Sequence, residues 1–211
     1  MKTQKMRKFL LHTAREMNAC GLNQGTAGNI SVWVENGFLI TPSALPYVEC
    51  TEEDMVLVKA DGTFEGIRKP SSEWRLHRDL YLNHPQSRAV LHAHSPWCTT
   101  LACLERDIPA FHYMVAMAGG DHIPCTAYRP FGSQELSDSI VKTMGPLRAC
   151  LMGHHGMICH TVSPDALLPL AIEVESLARI YVQMLQINPE PPLLSPEDMR
   201  EVLERFATYK P

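Results

Sequence analysis

The chain has few lysines, and their positions argue against one kind of catalysis. Of its 211 residues only seven are lysines, and four of these lie near the ends of the chain, at positions 2, 5, 8 and 210. The other three, Lys59, Lys69 and Lys142, stand in polar surroundings. A lysine that forms a Schiff base needs an apolar pocket that lowers its pKa. The sequence therefore disfavours a covalent lysine mechanism.

Paired cysteine motifs are also absent. The number of cysteines is odd, and no two of them form a C-x-x-C motif. This pattern is typical of reduced thiols in a cytosolic protein, most of them buried. The cysteines stand at positions 20, 50, 98, 103, 125, 150 and 159.

No apolar run in the sequence is long enough to cross a bilayer. The basic residues at positions 2, 5, 7 and 8 are followed only by the short run Phe9-Leu10-Leu11, and Arg15 and Glu16 come soon after. This pattern does not fit a signal peptide. We therefore expect a cytoplasmic protein without a membrane partner.

The charge balance gives no indication of a nucleic-acid partner. The chain has 19 Lys and Arg residues against 23 Asp and Glu, a formal net charge of -4. The basic residues are scattered, with no stripe or patch that could follow a phosphate backbone or an anionic membrane. Neither nucleic acid nor a membrane surface is an expected partner.

Length and hydrophobic content predict one domain over residues 1–211. A hydrophobic content of 45% supports one sizeable core, and neither repeats nor low-complexity stretches suggest a second. Helical spacing of apolar residues predicts a first helix over 2–19, with Gly21 as its stop. The last helix begins at Ser195-Pro196-Glu197-Asp198, which combines an N-cap, a proline at the first helical position and an acid at the third. Other helices are predicted over 72–83, 96–105, 133–144 and about 164–186.

Short apolar runs and tight turns predict a central sheet. Residues 30–40 have the pattern of a hairpin with a break at Asn36-Gly37, and Asp61-Gly62 marks a turn between Val56-Leu57-Val58 and Phe64. Further strands are expected at 88–94, 122–126, 149–152 and 156–160. The short connections favour a mostly antiparallel mixed sheet. The predicted fold class is α/β, a single-domain three-layer sandwich with this sheet in the middle and helices around it.

The most informative motif is His92-Ala93-His94, at the end of the apolar run Ala89-Val90-Leu91. Alternation along a strand sends both imidazoles to one face. Three neutral nitrogens at one point suit a divalent metal, and zinc best. The motif therefore calls for a third nitrogen from elsewhere in the chain.

Candidates for that nitrogen follow a second apolar run. Cys150-Leu151-Met152 leads into His154 and His155, of which only one should face the metal in extended chain, and the residues alone do not say which. Glu73, in the polar segment 70–73, is a candidate fourth ligand or a base beside the metal. The set predicts a metalloenzyme. Five other histidines are expected to be solvated or hydrogen-bonded and not to bind metal: His12, His77, His84, His122 and His160.

Small polar residues beside glycine form a second candidate site. Such residues hold phosphate through backbone N–H and hydroxyl donors, although they are also ordinary loop material. The segments are 25–29, 41–44 and 71–72. No P-loop or dinucleotide fingerprint occurs, so a nucleotide cofactor has little support.

Six ordered blocks of the sequence resemble the class II aldolase/adducin family. They are residues 21–31, 39–43, 70–75, 92–94, 108–114 and 154–156, and the resemblance extends from the first helix to residues 206–209. Within the family, the match is best to members that act on L-fuculose 1-phosphate.

The resemblance implies a zinc enzyme that cleaves a ketose 1-phosphate into dihydroxyacetone phosphate and a short aldehyde, with Mn²⁺ or Co²⁺ as alternative metals. It assigns the zinc ligands to His92, His94 and His155, which makes His154 a neighbour. Glu73 matches the catalytic acid/base next to the metal. The phosphate-binding positions of the family fall on Asn29, Ser43, Ala44, Ser71 and Ser72.

The same resemblance implies residues at the aldehyde end. Tyr113 matches a tyrosine that reaches in from the neighbouring subunit to the aldehyde oxygen, where a hydroxyl can protonate an alkoxide. Phe131 matches the pocket wall and Tyr209 matches the C-terminal tail. The implied assembly is a homotetramer with its sites at subunit interfaces.

The chemistry is consistent with the residues themselves. Cleavage of a carbon–carbon bond next to a carbonyl leaves an enediolate, whose negative oxygen needs a counter-charge such as a metal ion. Glu73 is the only acid in its polar block. We expect it to be a desolvated carboxylate with a raised pKa, as suits a base that acts on carbon.

One departure and several alternatives accompany this interpretation. Ala44 stands where the family usually has glycine; its methyl group is tolerable if φ is negative, and the fine geometry of phosphate binding at this position stays open. The aldehyde stays open among substrates of the L-fuculose 1-phosphate, 5-deoxypentulose 1-phosphate and 5-methylthioribulose 1-phosphate types. Alternatives on the same scaffold are an L-ribulose-5-phosphate 4-epimerase, a sugar-acid phosphate decarboxylase and a methylthioribulose-phosphate dehydratase. Adducin-type interaction modules lack the catalytic metal, and the presence of all four candidate ligands disfavours that alternative.

Overall fold

A computed structural model describes residues 2–208 of the chain. Helices and strands alternate irregularly along these residues, as the mixture of sequence periodicities predicts. The helices are α1 (Lys2–Ala19), α2 (Trp74–Asn83), α3 (Pro96–Cys103), α4 (Gln134–Met144), α5 (Leu167–Ile187) and α6 (Pro196–Thr208). The strands are β1 (Asn29–Val34), β2 (Gly37–Ile40), β3 (Val56–Val58), β4 (Phe64–Glu65), β5 (Ala89–Ala93), β6 (Cys125–Thr126), β7 (Ala149–Met152) and β8 (Gly156–Thr161).

All of these strands join one sheet in the order β4-β3-β2-β1-β5-β8-β7-β6. Every neighbouring pair is antiparallel except β6 and β7. In the central strand β5, His92 pairs with Asn29 of β1 on one side and with Ile158 of β8 on the other. The predicted mostly antiparallel mixed sheet is confirmed, and His92 lies at its centre.

Helices cover both faces of the sheet, which makes the three predicted layers. Alternation along β5 sends Leu91 to one core, which it shares with α1, α3 and α5. Val90 faces the other core, beneath α2 and α4, where it is fully buried with Leu80 and Ile140. His92 has the same parity as Val90, so its imidazole points to the layer that contains α2.

The predicted elements are present, with differences at their ends. The hairpin turn is Glu35-Asn36, since Gly37 already pairs with Val34. The helix predicted over 72–83 begins at Trp74, and that predicted over 96–105 ends at Cys103 because Glu105 has a left-handed φ of 46°. The strand predicted over 122–126 is reduced to Cys125–Thr126. The residue at which a helix or strand begins or ends depends on packing, and the periodicity of the sequence does not report that packing.

Two helix N-termini are held by carboxylates. In α6 the Asp198 side chain accepts the backbone N–H of Ser195 at 3.1 Å, and the Ser195 hydroxyl accepts the N–H of Asp198 at 3.1 Å, which confirms the predicted cap. In α3 the Glu175 carboxylate from α5 accepts the N–H groups of Trp97 and Cys98, each at 2.9 Å. The second contact anchors the chain just after His94.

Across residues 2–208, none of the helices has the length and apolar character that a membrane span requires.

Candidate metal centre

Four side chains from three parts of the chain meet at one end of the central strands. Glu73 immediately precedes α2, His92 belongs to β5, His94 follows β5, and His155 lies in the turn between β7 and β8. One ligand atom from each lies within 4.8 Å of the others. The three imidazole rings are mutually edge-on, with centroids 4.8 to 4.9 Å apart. The structure therefore brings together the four residues that the sequence analysis selected.

The turn between β7 and β8 decides between the two adjacent histidines. His154 takes a left-handed φ of 55° and turns its side chain outward. Its side chain is 51% exposed, and its Nε2 atom faces Glu105 at 3.9 Å. The His155 side chain is 11% exposed, and its Nε2 lies 3.3 Å from Oε1 of Glu73. His155 belongs to the cluster and His154 lies beside it.

The tautomer of His92 leaves its cluster-facing nitrogen free to coordinate. Its Nδ1 atom lies 2.9 Å from the carbonyl oxygen of Met157 and donates a hydrogen bond to it. The other nitrogen, Nε2, then carries a lone pair that points to the cluster. A backbone carbonyl that orients a histidine in this way is a common feature around metal ligands.

Two buried atoms in the cluster lack hydrogen-bond partners. His92 Nε2 approaches Oε2 of Glu73 to 3.1 Å without meeting hydrogen-bond geometry, and both His92 Nε2 and Glu73 Oε1 are buried and unsatisfied. Buried polar atoms rarely stay unsatisfied in folded proteins. Three imidazole nitrogens and a carboxylate oxygen fit a divalent transition metal such as zinc, and a cation among them would satisfy both atoms.

Burial keeps two of the imidazoles neutral. It lowers the pKa of His94 and of His155 to about 4, and the neighbouring His92 adds to the effect. A histidine must be neutral to coordinate a metal, so both are ready at neutral pH. In His92 burial opposes protonation, but the negative charge of Glu73 outweighs it and raises the pKa of this ring.

The pKa of Glu73 differs from the sequence-based expectation. Burial raises it as expected, but the nearby His92 and His155 and the hydrogen bond from Asn29 outweigh burial. The pKa of Glu73 therefore lies well below its ordinary value, and the prediction of a raised pKa is wrong. Glu73 is an ionised carboxylate at neutral pH, able to bind a cation or accept a proton.

The predicted phosphate-binding segments lie side by side next to Glu73. The backbone N–H of Ser43 donates to the carbonyl of Lys69 at 3.0 Å, and that of Ser71 donates to the carbonyl of Thr41 at 3.1 Å. Ser43, Ala44 and Ser72 are exposed, whereas Ser71 is buried. Two separated stretches of sequence thus form one polar rim, and the buried Asn29 of β1 reaches Glu73 beside it.

Ala44 has the backbone conformation that favours glycine. Its φ is 55°, so the condition of a negative φ is not met. An L-residue in the left-handed region costs about 1–2 kcal/mol through the approach of its Cβ to the backbone. The loop therefore keeps a glycine-like path despite the methyl group.

Gly28 allows the loop before β1 to pack against the histidine strand. Its φ is +69°, and a Cβ atom at this position would lie 2.6 Å from the carbonyl oxygen of His92. The same atom would lie 2.2 Å from Nδ2 of Asn23. Only glycine fits such a position, so Gly28 brings Asn23 and Asn29 close to the cluster.

A cleft of about 410 Å³ opens beside the cluster. Three residues of the cluster line it, and the other lining residues come from neighbouring loops. The lining consists of Ser72, Glu73, His94, Tyr128, Arg129, Phe131, His154 and His155. Phe131 is 75% exposed, so an apolar ring stands at the mouth of the cleft. The structure brings Phe131 to the candidate metal site, as the resemblance implies.

One of the two tyrosines implied by the resemblance, Tyr113, stands apart from this cleft. Tyr113 is 51% exposed and begins the 3-10 segment Tyr113–Ala118. Among the described residues it does not line the cleft with Glu73. Tyr209 lies outside the described residues.

The five lysines whose side chains the structure describes offer no alternative chemistry. Lys5, Lys8, Lys69 and Lys142 are exposed, and Lys59 forms an ion pair with Glu65. A lysine at the surface has no apolar pocket that could activate it as a nucleophile. These observations agree with the prediction from the sequence, which disfavours a Schiff-base mechanism.

Sequence reasoning missed two residues that contact the site. Asn23 accepts the backbone N–H of His94, and His77 contacts Asn29. Both are buried. Asn23 lies in the block that resembles the family, but nothing in its spacing shows that it faces His94. His77 is hydrogen-bonded and lies outside the candidate metal cluster, as expected for an isolated histidine.

Comparisons with known proteins agree with this geometry. Residues 8–182 match the family model "Class II Aldolase and Adducin N-terminal domain". The chain is 48% identical over 204 residues to a 5-methylthioribulose-1-phosphate/5-deoxyribulose-1-phosphate aldolase of Rhodospirillum rubrum. The aligned part covers 97% of this chain and 92% of the relative. It is 44% identical over 209 residues to the L-fuculose phosphate aldolase of Escherichia coli, and this alignment covers 99% of this chain and 97% of that relative. A solved structure of an L-fuculose 1-phosphate aldolase superposes with a TM-score of 0.92 at 33% identity, over 96% of each chain.

Proposed function

Because the chain belongs to the class II aldolase and adducin family, we propose that it is a zinc-dependent aldolase. The proposed reaction is the reversible cleavage of a ketose 1-phosphate into dihydroxyacetone phosphate and a short aldehyde. One observation carries the proposal. His92, His94, His155 and Glu73 place four ligand atoms within 4.8 Å of one another.

A divalent cation held by these residues supplies positive charge where the carbonyl oxygen of the substrate becomes negative. The protein's own groups then move the protons. In the condensation direction the ionised Glu73 removes a proton from the carbon that attacks the aldehyde. In cleavage Glu73 returns this proton to the same carbon.

The aldehyde oxygen needs a proton donor as the new bond forms. We assign this role to the Tyr113 hydroxyl of a neighbouring copy of the chain, in a homotetramer. The half-exposed position of Tyr113 outside the cleft of its own chain supports a role across an interface. We assign no step to Tyr209 beyond a contact near the aldehyde.

The phosphate is proposed to bind at the polar rim formed by Ser43, Ala44, Ser71 and Ser72. The backbone N–H groups of Ser43 and Ser71 are already hydrogen-bonded within the protein, so the hydroxyl groups of the exposed Ser43 and Ser72 are the proposed donors. Asn29 borders the same rim. Phe131 at the mouth of the cleft favours an aldehyde with an apolar end, such as the methyl or methylthio group of the substrates named for the relatives.

We propose that the reaction takes place in the cytoplasm. All seven cysteines are free thiols, which suits a reducing compartment.

The test is a coupled assay for release of dihydroxyacetone phosphate. L-Fuculose 1-phosphate, 5-deoxyribulose 1-phosphate and 5-methylthioribulose 1-phosphate are compared, each after treatment with a chelator and after re-addition of Zn²⁺. Release that the chelator abolishes and zinc restores is the expected result, and the relative kcat/KM values identify the aldehyde.

Absence of release from all three substrates, with zinc bound at one ion per chain, would overturn the aldolase proposal. Conversion of L-ribulose 5-phosphate to D-xylulose 5-phosphate would then assign epimerase chemistry to the same residues. Failure to bind any divalent metal would instead argue for a non-catalytic interaction role.

A further inference from the structure

A line of buried hydrogen bonds leads from the second core to Glu73. Tyr81 of α2 contacts Ser31 of β1 at 2.8 Å, and Ser31 contacts Nδ1 of His77 at 2.7 Å. The opposite ring nitrogen of His77, Nε2, contacts Oδ1 of Asn29. Asn29 Nδ2 then reaches Oε2 of Glu73 at 3.0 Å. We call these five residues the Asn29 chain.

Every member of the Asn29 chain is removed from solvent. Ser31 and His77 have no exposed surface, and Asn29, Tyr81 and Glu73 are exposed by 3%, 4% and 6%. Water therefore cannot replace any of these bonds, and each donor must face an acceptor. The hydrogen bonds of such a chain run in one direction, which depends on which group donates and which accepts at each contact.

The direction follows from the carboxylate. Asn29 Nδ2 donates to the carboxylate of Glu73, so its NH₂ group faces Glu73 and its oxygen faces Nε2 of His77. His77 must then carry its proton on Nε2. Because burial lowers the pKa of His77 to about 3, the ring is neutral and Nδ1 is an acceptor. The Ser31 hydroxyl donates to Nδ1, and the Tyr81 hydroxyl donates to Ser31.

We propose that His77 is a positioning residue that fixes the orientation of the Asn29 amide and thereby aims the Glu73 carboxylate at the histidine cluster. An Asn29 side chain without this partner could rotate by half a turn and present its oxygen to Glu73. Two acceptors would then repel each other, and Oε1 of Glu73 would lose its direction. The catalytic part of this inference rests on the proposed aldolase function, whereas the orientation of the amide does not.

A matched pair of variants separates positioning from packing. The amide nitrogen of Gln in His77→Gln can occupy the place of Nε2 and donate to Asn29. The shorter His77→Asn places its amide near Nδ1, so it keeps a contact with Ser31 and loses that with Asn29. We expect His77→Asn to lower kcat about 10- to 100-fold, the usual range for a residue that supports a metal site, with little change in KM. His77→Gln should stay within a few-fold of the unchanged protein.

A readout without catalysis tests the geometry directly. In metal-free protein labelled with ¹⁵N-histidine, the His77 signal, assigned by its loss in His77→Gln, should show a neutral ring protonated on Nε2. In protein labelled uniformly with ¹⁵N, the side-chain amide signals of Asn29 should move in His77→Asn and stay near their original positions in His77→Gln. Protonation on Nδ1, or equal kcat in the two variants, would overturn the proposal.

This design keeps the two proposals apart. If no substrate is cleaved, the aldolase proposal fails, but the tautomer still decides the orientation of the Asn29 chain. If His77→Asn does not fold, Ser31→Ala serves as the second variant. It removes the donor to Nδ1, and a kcat unchanged from that of the original protein would count against the Asn29 chain.

Discussion

The side-chain oxygen Oδ1 of Asn23 lies 2.9 Å from the backbone nitrogen of His94 and accepts its hydrogen bond. Asn23 is 3% exposed, and its chain approaches so closely because Gly28 has no Cβ. The loop before β1 is thereby tied to His94, the cluster histidine that directly follows β5. His92 is held by the sheet, whereas His94 depends on this contact.

We expect Asn23→Ala to weaken metal binding about tenfold, because loss of an outer hydrogen bond frees the ligand it orients. Competition with a chromogenic chelator measures the affinity for Zn²⁺. Asn23→Asp, which keeps an acceptor at the same place, is the control and should bind more tightly than Asn23→Ala. Equal affinity of Asn23→Ala and the unchanged protein would show that His94 is held by other contacts.

Ala44→Gly should stabilise the protein. The φ of 55° at Ala44 strains an L-residue, and glycine removes this strain at some cost in chain entropy, with a net gain of about 0.5–1 kcal/mol. Urea unfolding of the metal-free protein gives the change. Ala44→Val is the comparison and should be less stable than Ala44, since a β-branched residue resists positive φ. A loss of stability in Ala44→Gly would contradict the inference that Ala44 is strained by its positive φ.

Glu73→Gln and Tyr113→Phe should complement each other. Each variant alone is expected to lose activity about 10²- to 10⁴-fold, the range for a lost general acid or base. When the two are unfolded, mixed equally and refolded together, about a quarter of the sites should regain both groups if each site combines two subunits at random.

The control mixes Glu73→Gln with His155→Ala, whose altered residues meet within one chain. This mixture should stay inactive, because no site in it combines an intact Glu73 and His155. Absence of recovery in the Glu73→Gln and Tyr113→Phe mixture would place both groups in one subunit.

His160 should make the protein sensitive to acid. Burial and the neighbouring His84 lower its pKa from 6.5 to about 4. The unfolded chain therefore binds a proton at higher pH than the folded chain, and stability is fully present above pH 6.5 and falls as the pH drops towards 4. At pH 5 this one group should cost about 2 kcal/mol relative to pH 7.

Urea unfolding at pH 7 and pH 5 measures this effect. His160→Gln should reduce the loss of stability between the two pH values, whereas His12→Gln, which removes an exposed imidazole, should not. An unchanged pH dependence in His160→Gln would assign the acid sensitivity to other buried histidines.

The fold could be predicted from the sequence because its elements have strong local patterns. The Ser195 and Asp198 cap and the apolar face of α5 are recognisable within one or two helical turns. The strand ends were less predictable. Thr126 pairs with Met152 where β6 runs parallel to β7, and that pairing depends on residues far away in the chain.

The sequence by itself determined the composition of the site. His92 and His94 share a face because alternation in a strand is a local property, and Glu73, Ser43 and Ser71 stand in blocks that resemble one family. Only the tertiary structure decided what these residues do to one another. It turned His155 inward and His154 outward, gave Ala44 a positive φ, and lowered the pKa of Glu73 by placing two imidazoles beside it. It also joined His77 to Glu73 through Asn29. Such effects depend on distances between segments that are remote in sequence, and these distances exist only after the sheet has formed.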